Sequence, residues 1–152
     1  MFSMKAQVGM EYMLMTIVVL IAIITTFTYV YLNYSQITRI NQLNTAVNTL
    51  NNTANQVYAW GPGNVFFTRI ELPSGVLALQ VRHVCKASPP CTQFYEISSS
   101  ELVWTMDMPG NNYVAVTGVR HPVDENILMA LTEGQHEMKV MWNGSWIHIE
   151  EA

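Results

Sequence analysis

The sequence predicts an α+β protein in which one long N-terminal helix packs on a small antiparallel β-sheet or β-sandwich head. Residues 13–32 form an apolar run without a charged side chain, which is typical of a helix that crosses a membrane. Apolar residues then recur with helical spacing over residues 37–57, and from Asn64 onward the repeat shortens to two residues, which is typical of strands. We therefore expect a helix over residues 7–60 and a β-rich head over residues 61–152.

Length and composition limit the classes of function. The 152 residues suffice for one modest domain with an appended helix, but not for two large cores. Only 12% of the residues are charged and 50% are hydrophobic, which indicates a membrane-associated chain. The net charge of -4 provides no basic surface for a phosphate backbone, so we do not expect nucleic acid as a partner.

The membrane span is expected at about residues 12–32, because residues 13–32 alone give about 30 Å of helix. A cleaved secretory signal is the alternative, but such signals end in small residues, whereas this run continues through Tyr29 and Tyr31. Lys5 precedes the span and Arg39 is the first basic residue after it. This arrangement weakly favours a cytoplasmic N-terminus.

The helix is predicted to continue as an amphipathic stalk over residues 33–60. Its apolar positions recur in steps of three or four residues: Ile37, Ile40, Leu43, Val47, Leu50, Ala54 and Val57. The intervening face is rich in Asn and Thr, which are mediocre helix formers, so the stalk needs packing partners. These are expected in the head and in neighbouring subunits; the alternative is that the stripe only seats the helix on its own head. Gly61 and Pro62 then end the helix.

Several strands are predicted in the head. Residues 66–72 and 76–84 flank Pro73-Ser74-Gly75 and are expected to form a hairpin. Residues 137–142 and 145–149 flank Asn143-Gly144, which predicts a type I′ hairpin forming a two-stranded edge of the sheet. Its inward-facing side chains are expected to be Met138, Val140, Trp142, Ile147 and Ile149. Further strands are expected at residues 93–97, 102–106, 113–119 and 127–131.

Two cysteines, Cys85 and Cys91, bracket a short loop that contains two prolines. In an exported domain this spacing favours a disulfide. The alternative is a metal site with His83, but these residues do not supply the four ligands of a structural zinc.

Three Asn-x-Ser/Thr sequons occur, at Asn33, Asn51 and Asn143. Asn51 on the stalk and Asn143 at a hairpin tip are the expected acceptors if the chain is glycosylated, because acceptors need exposure. Asn33 is the least favoured, since it lies at the membrane boundary. At Asn143 the alternative is a purely structural role in the turn.

No catalytic constellation is recognisable. The four histidines are scattered singly, and the chain has no G-x-S-x-G, H-E-x-x-H or Gly-rich phosphate loop. We therefore expect neither an enzyme nor a cofactor or metal, although a cation at Asp124 and Glu125 is an alternative without further support. The loops at residues 86–92 and 108–112 are where we expect the head to touch a target.

The segment at residues 5–12 carries a short and specific pattern. Lys5 and Ala6 are followed by Gln7, and Glu11 then stands at the mouth of the apolar run. This order resembles the archaeal type IV pilin precursors with class III signal peptides, although Gly9 stands where these leaders often have Ser. The resemblance implies that a membrane prepilin peptidase removes residues 1–6 on the cytoplasmic side, by cutting between Ala6 and Gln7.

The same resemblance implies a role for Glu11 in assembly. A carboxylate carried to the centre of a bilayer costs roughly 2.5–3.5 kcal/mol, so it needs a partner. Cleavage after Ala6 would make Glu11 the fifth residue, near a new cationic α-amino group. The chain would then begin as a single-pass membrane protein and end as a subunit of an extracellular filament.

The expected function is therefore structural: a type IV pilus-like subunit that assembles with other pilin subunits through its N-terminal helix, in surface adhesion. One alternative is a membrane-anchored extracellular binding module that does not polymerise. Another is a minor pilin, which primes or caps a filament of other subunits and shares every one of these sequence features.

Overall fold

The computed structural model describes residues 3–86, 97–124 and 132–152, with side chains from Gly9 onward. This part of the chain forms one helix and six strands: α1 (Ser3–Trp60), β1 (Val65–Leu72), β2 (Val76–Cys85), β3 (Ile97–Met106), β4 (Tyr113–Val119), β5 (Gly134–Trp142) and β6 (Ile147–Glu151). The predicted α+β class is confirmed, because the helix packs on two small three-stranded antiparallel sheets.

The chain divides into two compact units, Met1–Thr38 and Arg39–Ala152. The first is helical throughout its described length. The second holds the remainder of α1 and all six strands.

The end of α1 lies at Trp60, as the Gly-Pro-Gly sequence after it predicts. The amide of Gly61 donates to the Tyr58 carbonyl, and Gly61 adopts a positive φ of 97°. The side-chain amide of Asn64 donates to the carbonyls of Trp60 and Gly61. Carbonyls that the helix leaves without a partner are thus satisfied locally.

The apolar stripe of the stalk packs within the chain's own head. Five of its positions are buried, with exposed fractions of 3% or less: Leu43, Val47, Leu50, Ala54 and Val57. Ile40 is partly buried against the same core, whereas Ile37, in the other unit, is exposed. The interpretation that the stripe seats the helix on its own sheets is confirmed for residues 40–57.

The two sheets have the strand orders β1-β5-β6 and β2-β3-β4, and all strand pairs within them are antiparallel. Their inward-facing side chains share one core with the stalk. Strand β3 illustrates the pattern, since Leu102, Trp104 and Met106 alternate as fully buried residues.

The predicted hairpin of residues 66–72 and 76–84 is wrong in its pairing, although both strands are present. Strand β1 pairs with β5, and β2 pairs with β3 in the other sheet. The link between β1 and β2 is a corner: Pro73 is buried, and the Gly75 carbonyl accepts a hydrogen bond from the amide of Asp107, just after β3, at 2.7 Å. The turn signal at residues 73–75 thus predicted where the chain bends, but it did not predict which strands pair.

The C-terminal hairpin is confirmed, with Trp142 opposite Ile147. Its connection differs from the predicted type I′ turn, which needs positive φ at both central residues; no described residue other than glycine has one. Instead, Asn143 Oδ1 accepts hydrogen bonds from the amides of Ser145 and Trp146 at 2.9 Å, an Asx turn in a four-residue loop. The hairpin was also expected to form a two-stranded edge of the sheet. Only β6 is an edge strand, because β5 lies between β1 and β6.

The remaining strand predictions fall into three groups. Residues 113–119 match β4, and the strand predicted at 102–106 begins earlier, at Ile97. The strand predicted at 127–131 and all but the last residue of that predicted at 93–97 lie outside the described residues.

Candidate functional site

The part of α1 that precedes the head is apolar and exposed on every side. Each residue from 9 to 32 is exposed, including Leu14, Ile24 and Phe27. The apolar window of this helix has a mean hydropathy of 2.4, and none of it is buried. A helix that is hydrophobic all round requires burial in lipid or among other helices. This segment is compatible with a membrane anchor.

The threonine hydroxyl groups in this segment are satisfied by the helix itself. The threonines donate to carbonyls four residues earlier at 2.6–2.8 Å: Thr16 to Tyr12, Thr25 to Ile21, Thr26 to Ala22 and Thr28 to Ile24. A polar group without a hydrogen-bond partner in hydrocarbon costs roughly several kcal/mol. Because the threonine hydroxyl groups bond to carbonyls of their own helix, these residues can lie in an apolar environment without that cost. The four threonines therefore do not make this segment less suited to cross a membrane.

Tyrosines flank the apolar segment. Tyr12 lies at its start, and Tyr29, Tyr31 and Tyr34 lie toward its end, all of them exposed. Tyr12 and Tyr31 are separated by about 28 Å along the helix axis. Tyrosine is enriched at both membrane interfaces, and this separation is close to the thickness of the hydrocarbon core, about 30 Å.

The carboxylate of Glu11 is exposed beside Tyr12, and no side chain that the structure describes pairs with it. Helix α1 begins at Ser3, so Glu11 lies in its third turn rather than at its N-terminus. The predicted cleavage point, Ala6 and Gln7, belongs to the helix backbone, but its side chains are not among those described. The processing of the leader stays a prediction.

The three sequon asparagines have different surroundings. Asn33 is half-buried and its Nδ2 donates to the Tyr29 carbonyl at 3.0 Å. Asn51 is also half-buried on the stalk, whereas Asn143 is exposed between β5 and β6, with its Nδ2 donating to His148 at 2.7 Å. Occupancy of all three sequons stays a prediction.

Cys85 ends β2 and is disulfide-bonded. Its predicted partner, Cys91, lies outside the described residues, and the pairing with it stays a prediction. Of the predicted target loops, residues 87–92 lie outside as well. In the other loop, Met108 packs against the core.

A cation at Asp124 and Glu125 gains no support. The carboxylate of Asp124 pairs with His148 Nδ1 at 2.9 Å, and Glu125 lies outside the described residues. No group of three metal-ligating side chains occurs within residues 9–86, 97–124 and 132–152.

Two polar features of the head escaped the sequence analysis. His136 is buried, with 8% of its surface exposed, and its ring nitrogens face two acceptors: Nδ1 lies 2.6 Å from the Glu151 carboxylate and Nε2 lies 2.7 Å from the Thr132 carbonyl. The protonated ring donates to both. These contacts raise the pKa of His136, with the Glu151 hydrogen bond as the main cause. Scattered histidines carry no signal for such a contact, because it depends on the pairing of β5 with β6.

The second missed feature is a polar cleft of about 410 Å³ between the stalk and the end of β4. It is lined by Asn51, Asn55 and Tyr58 from α1, and by Gly118, Arg120 and His121 from β4 and the segment after it. The spacing of Asn51 and Asn55 by one helical turn was the available signal, but nothing local indicates that β4 lies opposite them.

Comparisons of the chain with protein-family models, with curated proteins and with solved structures gave no match.

Proposed function

We propose that this chain is a structural subunit of an archaeal type IV pilus-like surface filament that serves adhesion, without catalysis or a cofactor. It begins as a single-pass membrane protein with a cytoplasmic N-terminus. A prepilin peptidase removes residues 1–6, and the shortened helix assembles with other pilin subunits. The resemblance at residues 5–12 suggests this identity, and the surface of α1 supports the assembly.

The observation that carries the proposal is that two parts of α1 differ in how their apolar surfaces are packed. Residues 40–57 use their apolar stripe to seat the helix in the head. Residues 9–32 have an apolar surface on every side and no described packing partner. A surface of this kind is stable in lipid, and equally stable among copies of the same helix. The segment therefore suits a subunit that moves from a membrane into a helical bundle.

Cleavage would change the environment of Glu11 in two ways. In the uncut helix, Glu11 lies in the third turn, where the helix dipole contributes little, because its effect is confined to the first turn. After removal of residues 1–6, the carboxylate would lie one turn from the new helix N-terminus and near a cationic α-amino group. Processing and assembly would thus be coupled through one charge.

In the filament, Glu11 would pair with the terminal amine of a neighbouring subunit. Breaking an ion pair in an apolar core by removing one partner costs about 3–5 kcal/mol. This cost corresponds to a loss of roughly two to four orders of magnitude in the equilibrium constant of each subunit contact. Such a pair would favour one axial register between subunits.

The test replaces Glu11 in the full-length gene and measures both membrane insertion and filament yield. Glu11→Ala is expected to insert normally and to abolish efficient assembly. The control is Glu71→Ala, which removes an exposed carboxylate of β1 and leaves assembly unchanged. A normal filament yield from Glu11→Ala contradicts the proposed mechanism.

The second candidate is a membrane-anchored binding module that does not polymerise. The polar cleft beside β4 supports it, because a cleft of about 410 Å³ can hold a small ligand, as it would in an adhesive filament as well. Purified envelopes separate the two candidates: filaments containing the chain support the first, and single membrane-bound copies support the second. The abundance of the chain within those filaments distinguishes a major from a minor pilin.

A further inference from the structure

Trp60, the last residue of α1, projects from the head. With 70% of its surface exposed, it is the most exposed large hydrophobic residue that the structure describes in the unit Arg39–Ala152. Its ring meets Phe66 edge to face at a centroid distance of 5.5 Å, a contact that orients the indole without burying it. Tryptophan is on average highly buried, and it is enriched where proteins contact one another.

A small pocket lies at the other end of the head, beside Ile40. Its volume is about 270 Å³, which is below the range of about 300–1,000 Å³ that is usual for small-ligand sites but is large enough for one aromatic side chain. This Ile40 pocket has no charged residue in its lining and lies within the unit Arg39–Ala152. The lining residues are Ile40, Met108, Pro109, Asn111, Asn112 and Tyr113.

The walls of the Ile40 pocket are held in place by the head. Ile40, Met108 and Tyr113 are partly buried and pack against its core. The loop between β3 and β4 closes in a turn, in which the amide of Asn111 donates to the Met108 carbonyl at 3.2 Å and Gly110 has a φ of 95°. A side chain that enters the pocket thus meets preformed walls, which reduces the entropy lost on binding.

An indole ring matches the chemistry of the Ile40 pocket. Its apolar face suits Ile40 and Pro109, and the thioether of Met108 makes favourable contacts with aromatic rings. A buried indole N–H needs a hydrogen-bond acceptor. The side-chain carbonyls of Asn111 and Asn112, both exposed residues of the lining, can supply one.

Trp60 cannot fill the Ile40 pocket of its own chain. The 20 positions from Ile40 to Trp60 are helical and give about 30 Å of helix, so the two features lie at opposite ends of the head. In a second copy they can meet. Such a contact joins two different surfaces, so each copy keeps one unused Trp60 or one unused pocket, and the contact can repeat along a filament.

We propose that Trp60 of one copy inserts into the Ile40 pocket of the next copy, so that successive heads contact end to end. The inference rests on the proposed filament and identifies a contact between heads, in addition to the contacts between helices. Heads joined in this way would be displaced by about 30 Å along the stalk.

The first test compares the filament yield of two variants in cells. Truncation of a central aromatic residue weakens a contact roughly 30-fold or more, so Trp60→Ala is expected to lower the yield at least tenfold. Phe67→Ala is the matched control, because Phe67 is 61% exposed on β1, and it should leave the yield unchanged. Both variants should keep the Tm of the head within about 4 °C, since both side chains are exposed.

The second test maps the contact in filaments with a short bis-maleimide. Ala59→Cys leaves Trp60 in place, and Asn112→Cys labels the Ile40 pocket; in one chain these positions are separated by almost the full 30 Å, roughly, between Trp60 and Ile40. The double variant should therefore give a ladder of dimers, trimers and longer products. Phe67→Cys with Asn112→Cys is the control and should give no ladder, and the unsubstituted chain provides the background.

Four results would overturn the inference: a normal filament yield from Trp60→Ala, filaments of the Ala59→Cys and Asn112→Cys double variant that give no ladder, an equal ladder from the Phe67→Cys control, or Trp60→Ala filaments that form normally and lose only adhesion. The last result would assign Trp60 to an outside target. A wild-type chain that forms no filaments refutes the proposed function and this contact together, whereas filaments without the ladder refute this contact alone.

Discussion

The division of α1 into a head-seated part and a free apolar part makes a quantitative prediction for two identical substitutions. Leu50 is fully buried in the core, whereas Leu20 is 55% exposed in the apolar segment. Leu50→Ala removes buried methyl groups and leaves a cavity, which costs about 2–5 kcal/mol. Leu20→Ala removes the same atoms from a surface that the head does not use, so the free energy of unfolding of the head should stay within about 0.5 kcal/mol.

The expected shift in melting temperature follows from the size of the unit Arg39–Ala152, about 114 residues. At about 2.1 cal/mol/K per residue, its unfolding entropy is about 0.24 kcal/mol/K. A loss of about 3 kcal/mol from Leu50→Ala therefore lowers the Tm by about 12 °C.

The assay is thermal unfolding of full-length protein in detergent micelles, followed by near-ultraviolet circular dichroism. This signal reports the packing of the head through Trp104, which is fully buried. Filament yield is measured for the same two variants in cells. Leu20→Ala should reduce the yield while leaving the Tm unchanged. Equal Tm shifts for Leu50→Ala and Leu20→Ala, or a shift below about 4 °C for Leu50→Ala, would refute the division.

Two further predictions concern the head alone. The pKa of His136 is raised in the folded state, so its pair with Glu151 stabilises the fold fully below pH 6.5, and this contribution is lost as the pH rises through the folded pKa. The difference in unfolding free energy between wild type and His136→Gln, up to about 1 kcal/mol, should therefore shrink over that pH range in urea titrations. A difference that stays constant with pH would contradict this prediction. Gly75→Ala should destabilise the head by about 2 kcal/mol or more, because Gly75 has a φ of 90° and the added Cβ would lie 2.8 Å from the Asp107 carbonyl oxygen. Gly110→Ala is its control, with a φ of 95° and open space around the Cβ, and should cost only about 1 kcal/mol; equal costs would show that the Asp107 contact is unimportant.

The helix and most strand positions could be predicted because their signals are local. The apolar stripe of the stalk repeats every three or four residues, and a stop sequence follows Trp60 directly. Strand β4 likewise has a two-residue repeat between clear turn signals, and its predicted bounds are those observed.

Strand pairing could not be predicted in the same way. The signal at Pro73-Ser74-Gly75 marks a bend, and a bend of this length serves equally for a hairpin or for a corner between sheets. The partner of β1 is β5, about 60 positions later in the chain, and this choice depends on how both sheets cover the stalk.

The two candidate sites also differ in whether their sequence signals are local. Glu11 was identifiable because a lone carboxylate beside an apolar run is a local anomaly. The cleft was not, since Asn55 and Arg120 come from elements about 60 positions apart, and only the packing of α1 beside β4 brings them together. The asparagines of the stalk indicated a polar helix face, but they did not indicate which strand packs beside it.

The central claim is that processing creates an N-terminus from which the helix assembles, and its most direct test is N-terminal peptide mass spectrometry of the protein from its native envelope. The proposed mechanism predicts a mature chain that begins at Gln7, so that Glu11 is the fifth residue. A chain that retains Met1 would contradict it. In that case residues 5–12 would be an ordinary signal anchor, and the membrane-anchored binding module would be the function that remains.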